Sequence, residues 1–454
     1  MRPTHRRLAA GLVAVALALL SGSEARADPW WARPEPTDWD PLQGMDPDGR
    51  IPKVALPADL PAPERWRYIP EGRIKPGNPF QRLLVSNFIA PQFFFEADVG
   101  AGGGVALTDI DFRTQRRREF LGAFFTYTTE GQQRYRLIWR RWLHHRDLDG
   151  GGVALEERSF LGAAGGYEKT LTRRFFGLGP DTRPGAETSY TDEVVSVGAG
   201  GELALPGSGG DWIAGLGLGG EHHNLARGRV SGRPTTDQAF PELFDAADGY
   251  DALTVSATLR WDTRDSQHQP YRGWRLGVGV EAPVLQSGGD SAAIFSTIAS
   301  VAIPLPPLFH RGGDAGEENP PTDTLALGAQ VWVAAGTLPY FSRPSLGGSH
   351  TLRGYIANRF TDDAAWHAVA EYRFWVVPRG FSITRTIRVE RLGLAPFVEA
   401  GTVADDLGAL VDARIHTSYG LGFRATFERT AVLRLDVGFS GEGVNLTLGF
   451  GLSF

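Results

Sequence analysis

From about residue 83 to the end, the chain alternates apolar and polar side chains with a period of two. No apolar run in this region approaches the roughly 18 residues of a membrane-spanning helix. The last segment shows the pattern best. Leu446, Leu448, Phe450, Leu452 and Phe454 share one phase, and Asn445, Thr447, Gly449, Gly451 and Ser453 share the other. The same split separates Leu433, Leu435, Val437 and Phe439 from Arg434, Asp436 and Gly438. It also separates Leu253, Val255, Ala257, Leu259 and Trp261 from Thr254, Ser256, Thr258, Arg260 and Asp262. Successive side chains of a strand point to opposite faces, so each segment has one apolar face and one of Gly, Ser, Thr and charge. That is the pattern of strands with lipid outside and a polar interior. Lipid offers no partner to an open sheet edge, so such strands must close into a barrel.

Sixteen stretches fit the pattern: 91–99, 102–112, 118–128, 133–146, 160–173, 188–203, 210–223, 251–262, 273–283, 291–303, 325–337, 364–378, 391–403, 416–428, 431–440 and 444–454. The expected fold class is therefore all-β, a transmembrane antiparallel β-barrel of 16 strands, with the even strand number of single-chain bacterial barrels. With both termini periplasmic, the stretch between the eleventh and twelfth strands is the sixth outer loop. The 58 Gly, 12 Trp, 26 Phe and 11 Tyr suit aromatic outer faces and glycine-bearing strands better than a helical bundle. The absence of cysteine excludes disulfides and thiolate metal sites.

Residues 1–27 read as an export signal. Arg2, Arg6 and Arg7 precede the apolar run Leu8 to Leu20, and Ala25-Arg26-Ala27 supplies a cleavage site. Removing that segment, which carries a net +3, takes the formal charge from −6 to −9 and argues against a nucleic-acid partner. Residues 28–82 form a periplasmic segment with 12 prolines by residue 80, a density that forbids a regular helix or a central strand. Trp30, Trp31, Trp39 and Trp66 fit a segment that docks on something as well as they fit a tether. The barrel is expected over 83–454.

Several apparent motifs dissolve on inspection. Gly215, Gly217 and Gly220 make a nominal dinucleotide fingerprint, but inside an alternating strand with no helix after it. His144-His145 and His222-His223 point to opposite faces of their strands and lack converging partners, so no metal is expected. Asp147-Leu148-Asp149-Gly150 reads as a turn, because a calcium loop needs further spaced oxygens. No nucleophile–base constellation appears, so neither enzymatic activity nor a cofactor is expected. The cluster Asp262, Arg264, Asp265 and Gly273 reads as a structural turn.

Four stretches recur together in one family, and here they stand in the family's order. They are FFGLGPDT (Phe175–Thr182), WDTRDSQHQPYRGW (Trp261–Trp274), GGSHTLRGY (Gly347–Tyr355), and EYRFW (Glu371–Trp375) followed by APFVEAG (Ala395–Gly401). In them the chain resembles the bacterial surface antigen family, the BamA- and TamA-type barrels of outer-membrane assembly and translocation. The resemblance implies that Arg353 of the sixth loop folds into the lumen and meets Glu371 and Glu399. Leu352, Gly354, Tyr355, Phe397 and Gly401 complete that loop lock. Glu399 stands where the family usually has Asp. Alternation independently puts Glu371 inward, and Phe397, Glu399 and Gly401 in one inward phase. Gly354 is expected to give the loop its sharp turn and Tyr355 to pack on the wall.

Thr447, Gly449, Leu452 and Phe454 resemble the terminal signal by which such barrels are recognised for insertion. Family members carry POTRA domains of about 75 residues ahead of the barrel, for which residues 28–82 leave no room. The expected function is help with insertion or translocation of protein or lipid at the first-to-last strand seam, without a chemical step. The alternative is a passive pore or structural surface barrel plugged by its sixth loop. The expected partners are outer-membrane lipid, the barrel assembly machinery as inserter, and an unfolded outer-membrane or exported client.

Overall fold

The computed structural model describes residues 40, 42–74, 90–96, 99–207, 209–383, 388–427 and 431–454. The expected export signal, and Trp30, Trp31 and Trp39, lie outside these residues. Among the described residues, sixteen long strands make one antiparallel sheet that closes on itself. The first eight are β1 (Ala90–Glu96), β2 (Gly100–Asp109), β3 (Glu119–Thr128), β4 (Gln133–Trp142), β5 (Phe160–Phe175), β6 (Thr188–Gly207), β7 (Gly210–Arg227) and β8 (Asp251–Asp262). They continue as β9 (Gly273–Gln286), β10 (Ala292–Leu305), β11 (Asp323–Gly336), β12 (Ala364–Val377), β13 (Arg388–Ala404), β14 (His416–Phe427), β15 (Ala431–Ser440) and β16 (Gly443–Phe450). Each pairs with its sequence neighbours, and β16 returns to β1 through the register pair Phe95↔Leu448.

The exposure is inverted relative to a water-soluble protein. Leu216 (71 % exposed), Val278 and Phe295 stand bare on the outside, whereas Arg424, Arg434 and Asp436 are buried within. No described helix is long and apolar enough to cross a membrane, so any crossing belongs to the strands.

Several strand ends differ from the expected ones by a few residues, and two of the differences change what the chain does next. The fourth strand stops at Trp142 rather than 146, and His145–Asp147 leaves the barrel to pair with Val153–Glu156. The sixteenth stops at Phe450 rather than 454. Gly451 takes φ 88°, a left-handed conformation that breaks the pleat and sends the last residues off the outer face.

The Pro-rich segment also makes a strand. Trp66–Ile69 fits between Pro63 and Pro70, where no proline interrupts the ladder, and forms the edge of a three-stranded sheet with Val153–Glu156 and His145–Asp147. Trp66 stacks on His144 at 6.1 Å. Residues 42–74 lie against one end of the barrel, called the base below. Arg116 in the β2–β3 turn reaches Glu71 at 2.8 Å, and Arg146 in the β4–β5 connection reaches Asp59 at 2.6 Å. Arg65 reaches Asp211 at 3.2 Å, and Arg50 reaches Asp314 in the β10–β11 turn at 2.9 Å.

Candidate functional site: an arginine locked inside the barrel

The loop between β11 and β12 turns back into the lumen. Ser345–Leu346 pairs with Phe360–Thr361 at its neck. Leu346, Leu352, Tyr355 and Phe360 pack there on Ala365 and Val403 of the wall. The turn is made at Leu352, which takes φ 42° and is fully buried. Gly354 serves closeness, not turning. A Cβ there would lie 2.5 Å from the Phe439 carbonyl oxygen, and one on Gly438 opposite would lie 2.6 Å from the Gly354 nitrogen. The loop backbone therefore lies directly on β15, where only two facing glycines fit.

This approach delivers Arg353, fully buried, into a ring of acids. Its backbone N–H donates to Glu399 Oε2 at 2.6 Å, and its Nε donates to Glu399 Oε1 at 3.0 Å. Nη1 donates to Glu371 Oε2 at 2.8 Å and reaches Asp436 Oδ2 at 3.4 Å. The guanidinium lies over the Phe397 ring with 3.5 Å from Cζ to its centroid, a cation–π contact. Gly401 lets the neck approach, since a Cβ there would lie 2.9 Å from Leu346 Cδ1. Tyr355 meets Phe360 edge to face at 5.2 Å. A guanidinium out of water needs its donors matched, and carboxylates match them best.

The network extends past the residues the motifs single out. Glu371 also accepts from Arg373 Nε at 2.7 Å and from Arg424 Nη2 at 3.0 Å. Asp436 also accepts from Arg424 Nη1 at 2.6 Å and from Arg434 Nη1 at 3.1 Å. Ser418 donates to Glu399 at 2.7 Å. Arg434 and Asp436 were recognisable as inward by alternation, but nothing in one sequence marks them as partners of a loop about eighty residues away. Asn445 of β16 donates from Nδ2 to the carbonyls of Arg353 and Tyr355, at 3.0 and 2.9 Å.

A second arginine, Arg359, anchors the same loop to the FFGLGPDT stretch. Its Nη1 and Nη2 donate to Thr182 at 2.8 and 2.7 Å, and it lies 4.5 Å from the centroids of both Phe176 and Phe360. That pairing ties the two stretches to each other in space.

Two of the terminal residues, Leu452 and Phe454, leave the outer phase that alternation gives them. Thr447 is buried facing inward, and the space around Gly449 is open. Beyond the break at Gly451, Phe454 turns into the lumen. Its ring lies 5.1 Å from Arg373 Cζ, and its Cδ2 lies 2.6 Å from where a Cβ on Gly328 would be. Leu452 lines a small cavity beside Arg373 at the base.

The turn after β8 is structural. Arg264 forks onto Asp262 at 3.0 and 2.8 Å, and Gly273 takes φ 97°. Asp265 accepts from the Tyr271 and Arg272 N–H groups, yet burial pushes its carboxyl up to about 6. The histidine pairs take separate partners. His144 meets Glu156, His145 the Arg116 carbonyl, His222 Asp251, and His223 Asp192.

Among solved structures, CdiB from Escherichia coli matches with a TM-score of 0.51 at 10 % identity, covering 79 % of this chain and 62 % of that one. CdiB from Acinetobacter baumannii gives 0.49 at 11 % identity, covering 80 % of this chain and 58 % of that one. BamA from Haemophilus ducreyi lacking POTRA domains 1-3 gives 0.47 at 14 % identity, covering 79 % and 69 %. The chain thus spans less than two thirds of either CdiB chain, and identities this low speak to fold alone. No curated protein matches. The Omp85 superfamily domain matches residues 172–454, which contain the inward loop and every acid that holds it. With more than half of its length matched to that domain, this chain belongs to the Omp85 superfamily.

Proposed function

We propose that this outer-membrane barrel assists the insertion or translocation of protein or lipid through the seam between β1 and β16, without a chemical step or a nucleotide. The seam itself carries the reading. Among the described residues it has one register pair, Phe95↔Leu448, against eight between β15 and β16 and seven between β1 and β2. A sheet parts where fewest ladder hydrogen bonds must break, and a parted edge is a template for an incoming strand. Lipid surrounds the barrel, an unfolded outer-membrane or exported chain is its client, and the barrel assembly machinery is its own inserter. On this reading residues 1–27 are an export signal, residues 28–82 a periplasmic segment, and both termini periplasmic.

The chain has no cysteine, so introduced pairs report without background. Cysteines in β1 and β16, oxidised to lock the seam, abolish transfer of client into vesicles, and reduction restores it. Full transfer through the locked seam overturns the reading. A passive barrel is the second reading, favoured by the complete burial of Arg353 in a loop that occupies the lumen. It predicts steady single-channel conductance that rises when the loop is released and does not change when the seam is locked.

A further inference from the structure

Below the loop lock, at the base of the lumen, three arginines from adjacent strands line one cavity: Arg373 of β12, Arg391 of β13 and Arg424 of β14. Gln269 of the β8–β9 turn, Thr426 and Leu452 share its wall. Arg373 and Arg424 are 6 % and 1 % exposed. Both are partly engaged above, through Glu371 and Asp436, but each keeps a donor free of any protein acceptor: Arg373 Nη2 and Arg424 Nε. The Gln269 Nε2 and the Thr426 hydroxyl, also buried, are equally unmatched. Among the described residues, the acceptor of Arg391 is the Asn319 carbonyl, a neutral group, and its Cζ lies 5.5 Å from the Trp375 ring centroid.

Among the described residues the cations of this network outnumber its acids. Arg353, Arg373, Arg424 and Arg434 share Glu371, Glu399 and Asp436, four cations to three acids, and Arg391 adds a fifth cation, with Glu390 and Glu317 as the acids nearest to it. Glu317, the acid on the neighbouring β10–β11 turn, is held by Arg379 at 2.6 Å. Burying a cation without a counter-charge is costly, and an unmatched buried donor adds to that cost.

From the unmatched donors of the lining residues and the cation excess among the described residues, we propose that this cavity is a binding site for one small free oxyanion of the phosphate or sulfate class. Guanidinium forks and a hydroxyl are the donors such ions take. The cavity volume of about 30 Å³ admits a single small ion and excludes a peptide or a lipid body. The ion bridges β12, β13 and β14 beneath the lock and neutralises the arginine excess. The site does not depend on how the seam behaves.

The test uses the full-length purified barrel in detergent, titrated calorimetrically with inorganic phosphate at constant ionic strength. The expected result is saturable one-site binding, together with a higher melting temperature of the folded barrel than in chloride alone. Glycerol phosphate carries the same group on a larger body and binds at least about tenfold more weakly, since it cannot keep every charged hydrogen bond. Arg391→Gln weakens phosphate by at least about tenfold, the loss of one charge-assisted contact. Gln269→Ala, in a turn outside the lock, weakens it less, and it decides the matter if Arg391→Gln fails to fold. Absence of saturable binding to the native protein overturns the proposal, as does unchanged affinity in the folded variants. Equal binding of glycerol phosphate overturns it in favour of a lipid headgroup.

Discussion

Arg424 of β14 and Arg353 of the inward loop donate to the same oxygen of Glu371, at 3.0 and 2.8 Å. With Arg373 on the other oxygen, one buried carboxylate serves three cations. Removing the loop arginine therefore does not leave Glu371 without a cation, and Glu399 keeps its bond from Ser418. Removing Glu371 strips Arg373 of its acid and leaves Arg353 to Glu399 and Arg424 to Asp436. Glu371→Gln is expected to destabilise the barrel more than Arg353→Ala, with the former near the roughly 3–5 kcal/mol that follows from breaking a buried pair. Melting of the heat-modifiable barrel on gels ranks the two, and the reverse order would refute the shared-carboxylate account.

Arg353→Lys should restore only part of what Arg353→Ala loses. The guanidinium contacts Glu371 and Glu399 through separate nitrogens and lies over the Phe397 ring, whereas an ammonium is a point charge. Arg353→Ala combined with Glu399→Gln should cost less than the sum of the single changes, because both act on one contact. Strict additivity in melting would mean that the two residues do not share a network.

The contact between the loop and β15 is steric. Gly438→Ala would put a methyl group within 2.6 Å of the Gly354 nitrogen, so the loop must back away with Arg353. Overpacking of this kind costs about 1–3 kcal/mol. The expected readout is an earlier melt and greater protease access to the 347–360 loop. A variant as stable and as resistant as the native chain would dismiss the close approach.

Asp265 gives the base a pH dependence. Burial holds its folded pKa at about 6, above the ordinary 3.8, so folding favours the uncharged form. Its stabilisation is fully present below pH 3.8 and is lost as pH rises through about 6, at about 1.4 kcal/mol for each pH unit between those two values. The native melting temperature should fall across that window, and Asp265→Asn should flatten the fall. An identical profile in the variant would assign the dependence elsewhere.

The orientation proposed for the barrel is open to proteolysis. Arg229 and Arg233 are exposed in the β7–β8 loop, whereas Phe244 and Ala247 of the short helix Pro241–Ala247 are buried. Trypsin added to intact cells should cut after Arg229, the Arg233–Pro234 bond being resistant, and spare residues 42–74. Cutting of that N-terminal segment from outside would reverse the topology.

Strand existence and side-chain direction were legible in the sequence because period-two alternation is local. Lipid outside and a polar lumen inside force each residue to declare its face, so Glu371, Phe397, Glu399, Arg434 and Asp436 could all be placed inward. The pairing of Arg353 with Glu371 and Glu399 came from the family resemblance, since alternation alone names no partner across a lumen. Tertiary structure decided the rest. Closing the sheet brings β12, β13, β14 and β15 around one point, which makes Arg424, Arg434 and Asp436 part of the same charge network. It put the loop's turn at Leu352 and left Gly354 to fit against Gly438, a contact between segments more than eighty residues apart. It also turned Phe454 inward after Gly451, against the phase of its own strand, because a single left-handed residue outweighs an alternation that has no ladder left to enforce it.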